Sequence, residues 1–174
     1  MGRARPRQLH RSATGEPPTL RTIVNYHAYD DAWVPDMLAG KTMDEVGREK
    51  HKGDLLGAEP KPAFAAIMDR ACAAARDLDD PDRTVHTSFG DFPTREYLMQ
   101  ITSFRGMRAH DIARVIGVDP TLPDDLVQGM WDELSPVADQ WRQYGVFPPR
   151  VAVPDDAPLQ DLLLGLTGRD PYAP

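Results

Sequence analysis

An arginine stands where the core of a helix should continue. Residues 94–116 carry an apolar line of Tyr97, Ile101 and Phe104 that runs on through Arg108, Asp111 or Ile112, and Val115. Asp111 lies three residues beyond Arg108, within side-chain reach on a helix. Two arrangements satisfy that charge. Arg108 either snorkels its head to solvent or forms a buried or half-buried pair with Asp111, because a buried charge requires a partner. Earlier in the chain Thr22, Tyr26, Tyr29 or Asp30, and Trp33 share a helical face. If that face meets the first, Asp30 and the two tyrosine hydroxyls join one polar cluster. The chemistry of such a cluster is binding in a seam between helices.

The histidines do not assemble into a ligand set. His27 and His110 lie off the apolar stripes, His86 in a connection, His51 in a charged loop and His10 in the basic opening. Zinc on a helix needs a His with a His or Glu three or four residues away. His110 has Gly106 and Arg114 at its four-residue offsets, so the five read as ordinary surface or capping residues. Cys72 falls on an Ala-rich apolar face, where a thiol is buried and inert. As the only cysteine, it excludes an internal disulfide framework and thiolate zinc clusters. Asp79–Asp82 lacks the alternating ligands and distant Glu of a calcium loop and reads as a solvated turn. There is no nucleotide-type glycine loop and no nucleophile elbow.

The elements that position these residues are helices. The 174 residues carry 20 basic and 27 acidic groups, a net charge of −7, which argues against a phosphate-gripping nucleic-acid protein. Residues 1–21 hold five Arg against one Glu and almost no large apolar side chains, so residues 1–19 are expected to form a disordered basic tail. A first helix starts at Leu20, with Pro35 interrupting its last turn. Residues 40–59 hold four glycines among charges and form a loop with at most a short turn near Met43–Arg48. Pro62 opens the clearest helix, on which Phe64, Ile67, Met68, Ala71, Cys72, Ala75 and Leu78 make one stripe. Thr84–Thr87 and Phe89–Pro93 flank a Gly90-Asp91 turn, as a short hairpin or an extended connection. Thr94 caps a long helix that Gly117 closes after Ile116. Another helix follows Pro123, kinked at Pro136. Residues 146–158 are extended and proline-stiffened, and Leu159–Leu166 form a last short helix.

Four segments in order carry a family resemblance: GDLLGAEPKPAFAAIMDRACAAARD (53–77), DRTVHTSFGDFP (82–93), HDIARVIGVDPTLPDDLV (110–127) and GVFPPRVAVPDDAPLQDLLLGLTGRDP (145–171). Together they resemble the DinB-like superfamily, in the metal-binding branch related to the N-terminal domain of mycothiol-dependent maleylpyruvate isomerase. The likeness covers about residues 20 to 171. It implies a four-helix bundle, often dimeric, with a divalent metal (zinc, nickel or manganese) that activates a low-molecular-weight thiol such as mycothiol. Carried onto this chain, the family's ligand positions fall on Thr22, Phe104 and Arg108, none of which offers an imidazole or carboxylate. Asp111 keeps the family's acidic residue three positions after the ligand His. The helix that normally precedes Leu20 is missing, or its place is taken by the Lys41–Glu59 region, a second subunit, or nothing.

The expected protein is all-α: a basic tail (1–19), a DinB-like up-down helical bundle (20–145) with its first helix missing or replaced, and an extended C-terminal segment with a short helix packing on the bundle (146–174). Its expected function is binding in an inter-helix pocket by a member that has lost the usual ligands, with Arg108, Asp111, Asp30 and Tyr26 as the binding residues. One alternative is a metal-dependent, mycothiol-type transferase or isomerase with relocated ligands such as His27, His110 and Asp111. Another is a helical dimerisation module. A small thiol and a second copy of the chain are the partners that the resemblance implies. Nucleic acid and membrane are not expected partners, and with no apolar run of spanning length the location expected is cytoplasmic.

Overall fold

The computed structural model describes residues 19–88 and 90–173. Among the described residues are seven helices and one two-stranded antiparallel hairpin, so the chain is mostly helical. It divides into two compact units, with the boundary between Leu98 and Met99. The expected basic tail lies outside the described residues, apart from Thr19. No helix among the described residues is long and apolar enough to cross a membrane.

In the unit ending at Leu98, helix α1 (Leu20–Leu38) starts at Thr19, whose hydroxyl accepts the Thr22 amide at 3.2 Å. Pro35 does not interrupt it. A proline removes one ladder bond, but Val34, Met37 and Leu38 around it are all buried, and their packing carries the helix to its end. A single turn, α2 (Met43–Val46), forms where only a short turn is expected. Its capping box pairs the Thr42 side chain with the Glu45 amide, and the Glu45 carboxylate with the Thr42 amide.

Helix α3 (Pro60–Arg76) packs on α1, around Ala28, Leu56 and Ile67 with Val24, Ala32, Leu55 and Phe64 beside them. Its stripe is narrower than its sequence pattern predicts. Ile67 and Ala71 are buried, whereas Met68 and Cys72 are exposed, so the thiol is not an inert core group. One contacting helix covers only one side of α3, and the 100° turn per residue carries Met68 and Cys72 past its edge.

Residues 47–57 lie along α1. Asn25 binds their backbone through both ends of its amide, donating to the Gly53 carbonyl at 2.9 Å and accepting the Leu55 amide at 2.8 Å. Arg21 donates to Asp54 and to the Gly57 carbonyl, both at 2.7 Å. Leu56 is 1 % exposed, a burial worth about 1.5–3 kcal/mol.

Strands β1 (Thr84–Thr87) and β2 (Gly90–Pro93) realise the hairpin alternative, with Val85 opposite Phe92 and His86 opposite Asp91. Gly90 and Asp91 therefore belong to a strand and not to the turn. Helix α4 (Thr94–Ile116) follows directly. Thr94 is its first residue, fully buried, with its amide and hydroxyl both donating to the Arg83 carbonyl at 2.9 and 2.8 Å.

The unit from Met99 onward holds most of α4, then α5 (Asp124–Leu134), α6 (Ala138–Gln143) and α7 (Leu159–Leu166). Pro136 breaks its helix in two instead of kinking it, since the chain resumes helical bonding only at Ala138. Met107, Val127, Met130, Leu134, Phe147 and Leu163 lie in one core, with Phe104 and Trp141 against it. Residues 146–158 run extended beside α7, the Val151 amide donating to the Gly165 carbonyl at 3.0 Å. A Cβ on Gly165 would lie 2.5 Å from Val153 Cγ2 and 2.8 Å from the Val151 carbonyl oxygen, so only glycine permits this approach.

Candidate functional site

The residues singled out by sequence fall in both units. Tyr26 and Asp30 lie on α1 in the unit ending at Leu98, and Arg108 and Asp111 on α4 in the other. On α1 the rings of Tyr26, Tyr29 and Trp33 form a ladder, with centroids 6.1 and 6.3 Å apart. Their spacing of three and four residues stacks them on one helix face.

On α4 the carboxylate of Asp111 is gripped by a guanidinium, but its donor is Arg169 and not the expected Arg108. Arg169 Nε lies 2.9 Å from Oδ1, and Nη2 lies 2.8 Å from Oδ2. This planar fork on a carboxylate is the strongest geometry the two groups can adopt. Arg169 is in turn packed against Met107 Sδ at 3.4 Å and Thr167 Oγ1 at 3.3 Å. Arg114, one turn further on, donates to the Asp170 carbonyl at 2.9 Å and to the Ala173 carbonyl. The C-terminal half of α4 is thus strapped by the residues that follow α7. No local pattern announces the pairing, because its partners stand 58 positions apart.

The positions that the resemblance assigns to a metal do not suit one. Thr22 sits in the exposed first turn of α1, its hydroxyl 2.9 Å from that of Thr19. Phe104 lies 5.7 Å from Trp141 with the rings 23° from parallel, and Trp141 stacks equally on Phe147. Arg108 adds a positive charge. A phenyl ring, a guanidinium and a threonine hydroxyl make no donor set for a divalent cation. Among the described residues, no three His, Cys, Asp or Glu side chains come together as metal ligands.

Two histidines expected at the surface are buried instead. His27 is 8 % exposed, its Nε2 3.4 Å from Asp31 Oδ2 and its ring edge-on to Phe64. His27 and Asp31 stand four residues apart on one helix, the spacing at which two side chains meet. His110 is 3 % exposed, with Nδ1 3.5 Å from Asp111 Oδ1. Its burial depends on packing around α4, which the sequence period alone does not reveal.

A cavity of about 220 Å³ opens beside the hairpin, lined by Thr42, Asp44, Arg48, His86, Ser88 and Asp91 among others. His86 Nδ1 lies 2.9 Å from Asp91 Oδ1 across the two strands. The other charges are satisfied locally. Arg48 Nε donates to Asp44 at 2.6 Å and holds its carboxyl below the usual range, and the Thr42 amide and hydroxyl do the same for Glu45. No family model, curated protein or solved structure matches the chain.

Proposed function

We propose that this chain is a helical binding protein of the DinB and maleylpyruvate-isomerase kind whose metal position has been rebuilt, so that it works without metal-assisted thiol chemistry. The observation that carries this reading is the seat of Phe104. Its ring packs against both Trp141, at 5.7 Å, and Phe147, at 6.3 Å, so the place of a ligand on α4 is apolar packing. The grip of Arg169 on Asp111 supports it, because the guanidinium already neutralises the charge of the carboxylate. On this reading Asp111 has passed from binding to holding the chain.

Elemental analysis of the full chain after dialysis at neutral pH tests the proposal. Zinc, nickel and manganese are each expected well below one per chain, with no rise in melting temperature on adding them. A metal present at about a hundred times its dissociation constant would stabilise the fold by about 2.7 kcal/mol, a readily measured shift. One metal per chain that survives dialysis would overturn the reading.

A further inference from the structure

Where residues 47–57 reach the end of α1, they close on a cluster with one carboxylate and three basic side chains. Asp36 is largely buried, its Oδ1 3.1 Å from Lys41 Nζ and its Oδ2 2.7 Å from Lys50 Nζ. His51 stands on the same carboxylate, Nε2 3.5 Å from Oδ2, and its ring meets Trp33 edge-on with centroids 4.8 Å apart. Both oxygens already hold ammonium groups at hydrogen-bond distance, and His51 Nε2 is buried without a hydrogen bond of its own.

We propose that residues 47–57 are an acid-released strap on α1, closed by the neutral imidazole of His51 and opened when that imidazole takes up a proton. With His51 neutral, the two lysines and Asp36 sum to one positive charge. Protonation makes it two in a largely covered site that Arg70 of α3 also faces. Burial chiefly, with Lys50 and Arg70, pushes the imidazole below its ordinary range, and this outweighs the attraction of Asp36. The sign follows. A histidine lowered by folding contributes fully above its unfolded value, near 6.5, and its contribution drains away as pH falls toward the folded one.

The remaining ties suit a segment that detaches as a unit. Arg21 and Asp54 form an exposed pair of small worth, and the Asn25 amide would find water equally well. Gly47 at φ +92° and Gly57 at φ +54° bound the segment, in backbone conformations that other residues rarely take. Opening withdraws Leu56 from the cluster of Ala28, Ile67, Val24 and Phe64 and uncovers the edge of Trp33.

Amide hydrogen exchange by NMR on the full chain at pH 7.5 and 5.5, corrected for intrinsic rates, tests the proposal. The Leu55 amide, which donates to Asn25, is expected to lose protection at pH 5.5, by about tenfold at most. The Ile67 and Ala71 amides of α3 are expected to keep theirs. His51→Phe, which leaves a ring against Trp33 and cannot titrate, should abolish the pH dependence at Leu55. Should that variant not fold, the His51 ring titration in the wild-type chain serves instead, with a midpoint below 6.5 that the Leu55 exchange follows. Equal Leu55 protection at both pH values, the same loss in His51→Phe, a ring midpoint at or above 6.5, or a loss shared by the α3 amides would each overturn the proposal.

Discussion

Arg169 reaches back across 58 residues to hold both carboxylate oxygens of Asp111. The guanidinium is 25 % exposed and the carboxylate 43 %, so the pair is neither deeply buried nor an ordinary surface contact. Its two-pronged geometry fixes residues 167–173 on α4 more firmly than a single ion pair would. Arg169→Ala is expected to cost about 1–2 kcal/mol in urea unfolding. A double-mutant cycle with Asp111→Asn should return most of that as coupling energy, and coupling near zero would show that the fork contributes only packing.

Gly165 is the tightest backbone approach in its unit. Gly165→Ala places a methyl group against Val153 and a carbonyl oxygen that cannot turn away. The expected cost is about 1–3 kcal/mol, or separation of the 146–158 segment from α7. A calorimetric melt measures the first, and faster exchange of the Val151 amide reports the second.

The cluster of Phe104, Trp141 and Phe147 joins α4 to α6 and to the chain after it. Phe104→Ala should destabilise the chain by about 2–4 kcal/mol, since it removes a partly buried ring and leaves a gap beside two others. Phe104→Leu should recover about half. Denaturation followed by tryptophan fluorescence would check both, because Trp141 reports on the stack.

Asp36 contributes to the acid sensitivity of the unit ending at Leu98. Burial alone would raise its carboxyl, but Lys50 and Lys41 together hold it below the ordinary value of 3.8. A carboxylate lowered by folding contributes stability above that value and loses it as pH falls further, toward the folded one. Asp36→Asn is expected to cost about 1–2 kcal/mol at neutral pH and to flatten the fall in stability below about pH 4. Urea midpoints measured from pH 7 to pH 3 give the comparison.

Cys72 should behave as a surface thiol. With its side chain on the open side of α3, a colourless disulfide reagent is expected to label it in the folded chain at a rate close to that in urea. A hundredfold slower reaction in the folded chain would return it to the interior.

What was legible in the sequence followed from local rules. The bounds of α4 and α7, the short turn at Met43 and the hairpin that directly precedes α4 all rest on capping, glycine and proline chemistry within a few residues. The misreadings share one cause. Met68 and Cys72 lie on the expected stripe of α3, yet how wide a stripe is buried depends on how many neighbours cover it. His27 and His110 sit beside the stripes and are buried because packing closes over them. Arg169, which replaces Arg108 as the holder of Asp111, lies in a different element from its partner. Period reveals the direction a side chain takes from its own helix, and long-range contacts decide what it meets.

The grip on Asp111 also has an order in time. A ribosome makes α4 well before residue 169, so the carboxylate emerges with its final partner still unmade. Until α7 and the turn after it arrive, the far half of α4 exists as a helix without its fastening, and Met107 and Phe104 lack the core that later covers them. A synthesis pause between residues 130 and 165 would prolong that interval, during which a chaperone has the most apolar surface to hold.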